Sequence, residues 1–322
     1  MVRLGALLRR ESIRLVILAL GLLAIHLLVS NQFHRSIVQV SIIFAIASVG
    51  LTLLIGFAGQ VSLCQGAFVG LGAYVTAFAV QRMGWPSIPA LMLATAVSAA
   101  AAYAIARPIL RLSGHYLALA TLALGTSAYI LASQWRDVTG GLDPGIVDVP
   151  RFRFLGLSVD ELFLFSSACL VLTVGAAGGL VHSRLGRALR AIRTSEIAAA
   201  GMGIDVAETK AKVFAWAAAA AGLSGALYAF FLRSFNAGTF GIGLSIDLLM
   251  MVIVGSLSTV WGALLGAFLI ILLPNLLENF DTAKLLVYGV AMTAIVMFMP
   301  NGLASGLLDL LRRTGRRGQR AP

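Results

Sequence analysis

The sequence predicts an all-α fold, a polytopic integral membrane helical bundle of about nine or ten spans. Three observations predict it. Hydrophobic residues make up 59% of the chain and charged residues only 11%, with a mean hydropathy of +0.95, against about 25% charged in a soluble domain. The apolar residues gather in uninterrupted runs rather than alternating with polar ones, which disfavours a β-barrel and leaves helices that satisfy their own backbone. The cations gather where those runs end.

Taken in order, Ile13–Ser30, Ile37–Gly56, Ser62–Val80, Ile88–Ala106, Tyr116–Trp135, Leu162–Val181, Ala211–Leu232 and Leu285–Pro300 each approach the ~20 residues that cross hydrocarbon. The basic start before Ile13 mimics a signal peptide, but the apolar run exceeds an ordinary signal core and no clear cleavage site follows, so a retained first helix is expected. The stretch Ile246–Leu277 would be about 48 Å long as one helix, too long for one span and too short for two. Its interior, Gly255-Ser256-Leu257-Ser258-Thr259-Val260-Trp261-Gly262, is a poor helix core, so a broken helix or re-entrant pair is expected there.

The net charge of +11 is an orientation signal rather than a nucleic-acid footprint. Residues 1–12, the loop 183–212 and the tail 304–322 carry most of the arginines, and all three should be cytoplasmic, with both termini inside. Counting spans from an inside amino terminus returns each region to that side. One transmembrane domain over 1–322 accounts for the whole chain. No nucleic-acid partner is expected.

The catalytic inventory is thin. Four histidines are scattered without ligand spacing, and two cysteines, Cys64 and Cys169, lie in apolar surroundings. The cluster Gly66-x-x-x-Gly70-x-Gly72 lacks the Lys-Ser/Thr of a phosphate loop. No cofactor, metal or enzyme activity is expected.

Two features point elsewhere. Residues 59–70 align without a gap on 255–266, with glycine, serine and alanine coinciding at an offset of 196. Paired interruptions in two halves mark a transport pathway, where unwound backbone near mid-membrane can hydrogen-bond a polar solute. Chance matching in a glycine- and alanine-rich chain is the bland alternative. The span count makes the repeat parallel; an inverted pair would require one miscounted span.

The second feature is the loop Leu185–Lys212. Arg187, Arg190 and Arg193 form a basic stripe, Ser195 can cap a short helix with Glu196 in its first turn, and Gly201 and Gly203 can end it. Asp205 to Glu208 resembles a capping box that opens the next helix. An ordinary positive-inside loop would explain the arginines but not this capped insert.

These residues resemble a known family. Gly56-Phe57-Ala58-Gly59-Gln60-Val61-Ser62-Leu63 with Gly66-Ala67-Phe68 and Gly70-x-Gly72-Ala73-Tyr74, then Gly186 to Arg193 running on to Gly201 and Ile204, then Val254–Gly262 and Pro300-Asn301-Gly302-Leu303, resemble the branched-chain amino acid ABC transporter permeases, of the LivM type. The resemblance implies a permease subunit of an importer in the bacterial cytoplasmic (inner) membrane. It also implies a second homologous permease, two ATP-binding cassette ATPases that hydrolyse ATP, and a periplasmic solute-binding protein.

In that family the segment Glu196–Gly201 would be the coupling helix. Arg190, Arg193, Ser195, Glu196, Ala199 and Gly201 are then the expected coupling residues, and Gly59, Gln60, Ser62, Gly255, Ser256 and Ser258 the expected pathway. Cys64-Gln65 stands where the family pattern has Gly-His or similar, beside that pathway. Urea, short amides and small carboxylates are alternative solutes. A stand-alone channel or secondary transporter is the rival class, although ion-coupled carriers bury ionisable groups within spans and only Asp247 approaches that here.

Overall fold

The structure is a computed structural model that describes residues 2–28, 31–110, 112, 114–153 and 161–276, together with 289, 290, 293, 297 and 302. The span expected over Leu285–Pro300 and the basic tail 304–322 therefore lie outside the described residues, apart from those isolated positions.

The apolar runs become helices: α1 (Val2–Leu28), α2 (Gln32–Thr52), α3 (Gln65–Gln81), α4 (Ser87–Ile109), α5 (His115–Gln134), the short α6 (Arg136–Thr139) and α7 (Glu161–His182). The loop helices α8 (Arg184–Thr194) and α9 (Glu196–Gly201) precede α10 (Val206–Leu232), α11 (Ile242–Gly255) and α12 (Val260–Leu276). The described residues contain six helices long and apolar enough to cross a membrane, and shorter apolar helices at Ser12–Leu28 and Val260–Asn275. The expected break within Ile246–Leu277 falls at residues 256–259, between α11 and α12.

At the centre lies α2, 94% of whose apolar window is buried, against 11% for peripheral α5. Around α2 pack α10, α12, α7 and α11, while α10 also covers α3 and α4. Small residues permit the close crossings, as membrane helices require in the absence of a hydrophobic drive between them. Gly225 faces the Val69 carbonyl, Gly72 faces Gly222, and Gly50 faces Ala217 and Ala220. Polar bonds add orientation: Ser224 Oγ donates to the Ile43 carbonyl at 2.8 Å, Gln39 Nε2 to Ser166 Oγ at 3.0 Å, and Gln65 Nε2 to the Ala217 carbonyl at 2.7 Å. Each such bond is worth about 0.6 kcal/mol on average.

The bundle has two distinct ends. At one, α8 and α9 connect α7 to α10. The start of α1 lies here too, because Leu15 meets Gly175 near the end of α7, whereas His26 stacks on Phe163 at its beginning. Gly302 returns to this end and packs against Gly255 and Ser256. At the opposite end, Ile146 and Phe235 exchange backbone hydrogen bonds of 2.8 and 2.9 Å above a cluster of Tyr74, Phe235, Phe240 and Tyr228 rings.

Candidate functional site: two backbone breaks beneath a capped loop helix

The first break begins inside α2. Its last turn widens into a π-helix, Leu53–Phe57, so that Gln60 N donates back to the Leu54 carbonyl at 3.0 Å and Ala58 N to that of Leu53 at 3.2 Å. Such bulges recur at functional sites. Gly59 then takes φ 69°, a left-handed conformation suited to glycine, and the chain runs irregularly to α3 at Gln65.

Both breaks start at the end that carries α8 and α9. The continuous helix Gln32–Phe57 has 26 residues, about 39 Å of rise, so a full crossing is complete before Gly59. Residues 58–64 then climb back, reaching the middle of α10 where Gln65 meets Ala217.

The two breaks touch. The Gly56 α-carbon sits against the Leu257 carbonyl, leaving no room for a β-carbon, and Ser48 Oγ meets Met251 Sδ at 3.3 Å. Hence α2 and α11 run side by side in the same direction, and the two helix–break–helix units have the same polarity. Gln60 (3% exposed), Ser62 and Ser256 are buried, Gly255 is buried, and Gly59 and Ser258 are exposed. Ser256 and Ser258 hydroxyls pair at 2.9 Å, and Ser62 Oγ lies 3.3 Å from Cys64 Sγ. Among the described residues, neither side-chain polar atom of Gln60 has a hydrogen-bond partner.

The capped loop forms as its residue types dictate. Ser195 ends α8, donating its N–H to the Ala191 carbonyl at 3.1 Å, and starts α9, where its Oγ accepts from Ala198 N at 3.3 Å. Gly203, φ 80°, supplies the turn that closes α9; Gly201 stays helical with open space around it. Asp205 Oδ1 accepts from Glu208 N at 2.9 Å, but the reciprocal half of the expected capping box is replaced. The Glu208 carboxylate instead takes the Tyr103 hydroxyl at 2.9 Å and Lys212 at 3.4 Å.

The arginines divide by role. Arg190 donates to the Val181 carbonyl at 3.1 Å and Arg187 to that of His182 at 3.4 Å, so both answer the orphan carbonyls at the end of α7. Arg193 Nη1 instead donates to the Gly56 carbonyl, in the first break. Ala199 is fully buried, while Ile197 and Met202 project outward at 87% and 68% exposure. Glu196 pairs with Lys210 of α10, a lysine the sequence marked only as a span-end cation. Its depth, unlike its charge, has no local sequence signal.

A model of the branched-chain amino acid transport system permease component family matches residues 34–299. The chain belongs to that family. It is 29% identical over 293 residues to the high-affinity branched-chain amino acid transport system permease protein LivM of Salmonella typhimurium, covering 83% of this chain and 69% of that protein. LivM of Escherichia coli is 28% identical with the same coverage. The probable branched-chain amino acid transport permease protein LivH of Methanocaldococcus jannaschii is 26% identical, over 85% of this chain and 91% of that protein. No solved structure matches the chain. Among the described residues there is no group of three or more His, Cys, Asp or Glu side chains arranged to hold a metal.

Proposed function

We propose that this chain is the permease subunit of an ATP-driven importer of branched-chain amino acids in the bacterial cytoplasmic membrane. A second homologous permease, two ATPase subunits and a periplasmic binding protein complete the machine. The observation that carries this reading is α9: a short, doubly capped helix on a polar end, presenting exposed Ile197 and Met202 between two spans. Large apolar side chains on a charged loop fit a protein partner better than water or lipid headgroups.

In this reading the α8–α9 end is cytoplasmic, since its arginine excess follows the positive-inside rule, and both termini share that side. Ser195, Glu196, Ala199 and Gly201 build the coupling helix, and Arg190 fixes its carrier helix to α7. Gly59, Gln60, Ser62, Gly255, Ser256 and Ser258 supply the polar groups of the pathway, which must bind weakly enough to release its cargo. Selectivity then rests mainly with the binding protein.

The test is reconstitution with the two ATPases, the second permease and the binding protein, followed by leucine uptake with and without ATP. Uptake that requires ATP and every partner is expected. Uptake by this chain alone without ATP would replace the importer reading with a channel or secondary transporter.

A further inference from the structure

Arg193 is the one stripe arginine that does not serve the end of α7, and it reaches the first break. We propose that Arg193 is a positioning residue for transport, a latch that ties the first backbone break to α8 until α9 moves. The inference rests on the reading of α9 as the coupling helix.

The acceptor explains why an arginine is needed. Around the π-helix, the carbonyls of Leu53, Leu54 and Ile55 take the N–H groups of Ala58, Gln60 and Gly59. The next carbonyl, Gly56, receives the Arg193 guanidinium. Terminal helix carbonyls carry partial negative charge and attract cations, and a charged donor makes the stronger bond. The Arg193 stem also runs along Gly59, its Cγ only 3.3 Å from where a Gly59 β-carbon would stand.

Motion at α9 has a short path to that contact. Arg193 precedes Ser195, the residue shared by the end of α8 and the start of α9. Gly56 in turn bears directly on Leu257, and Gly302 bears on Ser256. Withdrawing Arg193 therefore frees the carbonyl of Gly56, the residue through which the first break bears on the second. Arg187 and Arg190, committed to the carbonyls of His182 and Val181, stay with the scaffold.

The test uses the complete importer in proteoliposomes and reads leucine uptake and ATP hydrolysis together. A Gly59 β-carbon would lie 3.9 Å from that of Arg193, within the span a disulfide bridges. Oxidising the Gly59→Cys/Arg193→Cys pair should form a cross-link and stop uptake. Reduction should restore uptake to the level of the unoxidised pair, and neither single variant should respond to oxidant.

A cross-linked protein that transports as fast as its reduced form would overturn the latch, as would failure of the pair to cross-link. Independently, Arg193→Ala should lower leucine moved per ATP hydrolysed by about five-fold or more, with Arg193→Lys falling between it and the native protein. An unchanged ratio in Arg193→Ala would also overturn it. If the native assembly moves leucine without ATP, the importer reading fails, whereas the effect of the cross-link on flux still judges the latch.

Discussion

Lys210 and Glu196 form an asymmetric ion pair at 2.6 Å: the lysine side chain is 2% exposed, the carboxylate 48%. The pair fastens α9 to the first turns of α10, the helix that packs on α2, α3 and α4. Removing one partner strands the other. For Glu196→Gln we expect a loss of about 1–3 kcal/mol, between an exposed and a buried pair, and reduced ATP-driven leucine uptake. Adding Lys210→Met should recover thermal stability in detergent without recovering uptake. If the double variant is no more stable than Glu196→Gln, the two residues are not energetically coupled.

The helix crossings predict a contrast between glycines. A side chain at Gly225 would collide with the Val69 carbonyl and one at Gly72 with the Gly222 carbonyl, whereas none of the described residues comes within 4 Å of a β-carbon at Gly179. Backbone cannot retreat as a flexible side chain does. Gly225→Leu and Gly72→Leu should each cost about 1–3 kcal/mol or more, visible as lower melting temperature and poorer accumulation in the membrane. Gly179→Leu should match the native protein in both measurements. Equal losses at all three sites would show that these close approaches do not set stability.

What the sequence disclosed follows from range. Spans were legible because apolar length is a local property, and the gap between α11 and α12 because Gly255-Ser256 and Ser258-Thr259 are poor helix residues. Ser195 and Asp205 announced their caps through side chains that bond within three residues. The Arg193–Gly56 contact spans 137 positions, and a span-end arginine reads first as topology. The π-helix has no such signal, since Leu53-Leu54-Ile55-Gly56-Phe57 is ordinary apolar sequence. It extends the continuous helix from Thr52 to Phe57, just ahead of Gly59.

Ile197 and Met202 predict where an ATPase docks. Both are exposed, whereas Ala199 between them is buried and orients the helix. Replacing either apolar group by Asp should leave α9 folded, because its cap bonds come from Ser195 and the backbone. For Ile197→Asp we expect a loss of about 2 kcal/mol or more in ATPase binding, as for an anchor at an interface centre. A pull-down from detergent, with membrane levels of the permease as control, measures it. Full recovery of the ATPases with Ile197→Asp/Met202→Asp would remove this face from the interface.

Gln60 predicts opposed effects on stability and transport. Its amide is buried in the first break, and neither side-chain polar atom has a partner among the described residues. An unpaired buried amide costs about 1–3 kcal/mol, a cost a pathway residue repays only when solute or water arrives. Gln60→Leu keeps similar bulk and removes the unmet groups. It should therefore raise the melting temperature of the purified protein while lowering leucine uptake at equal amounts of assembled importer. Gln60→Glu separates polarity from charge: burying a carboxylate without a partner is costlier still, so it should lower stability and uptake together. If Gln60→Leu raises stability and transports at the native rate, the amide does not serve the pathway, and Ser62 and Ser256, buried on the two breaks, become the groups to replace.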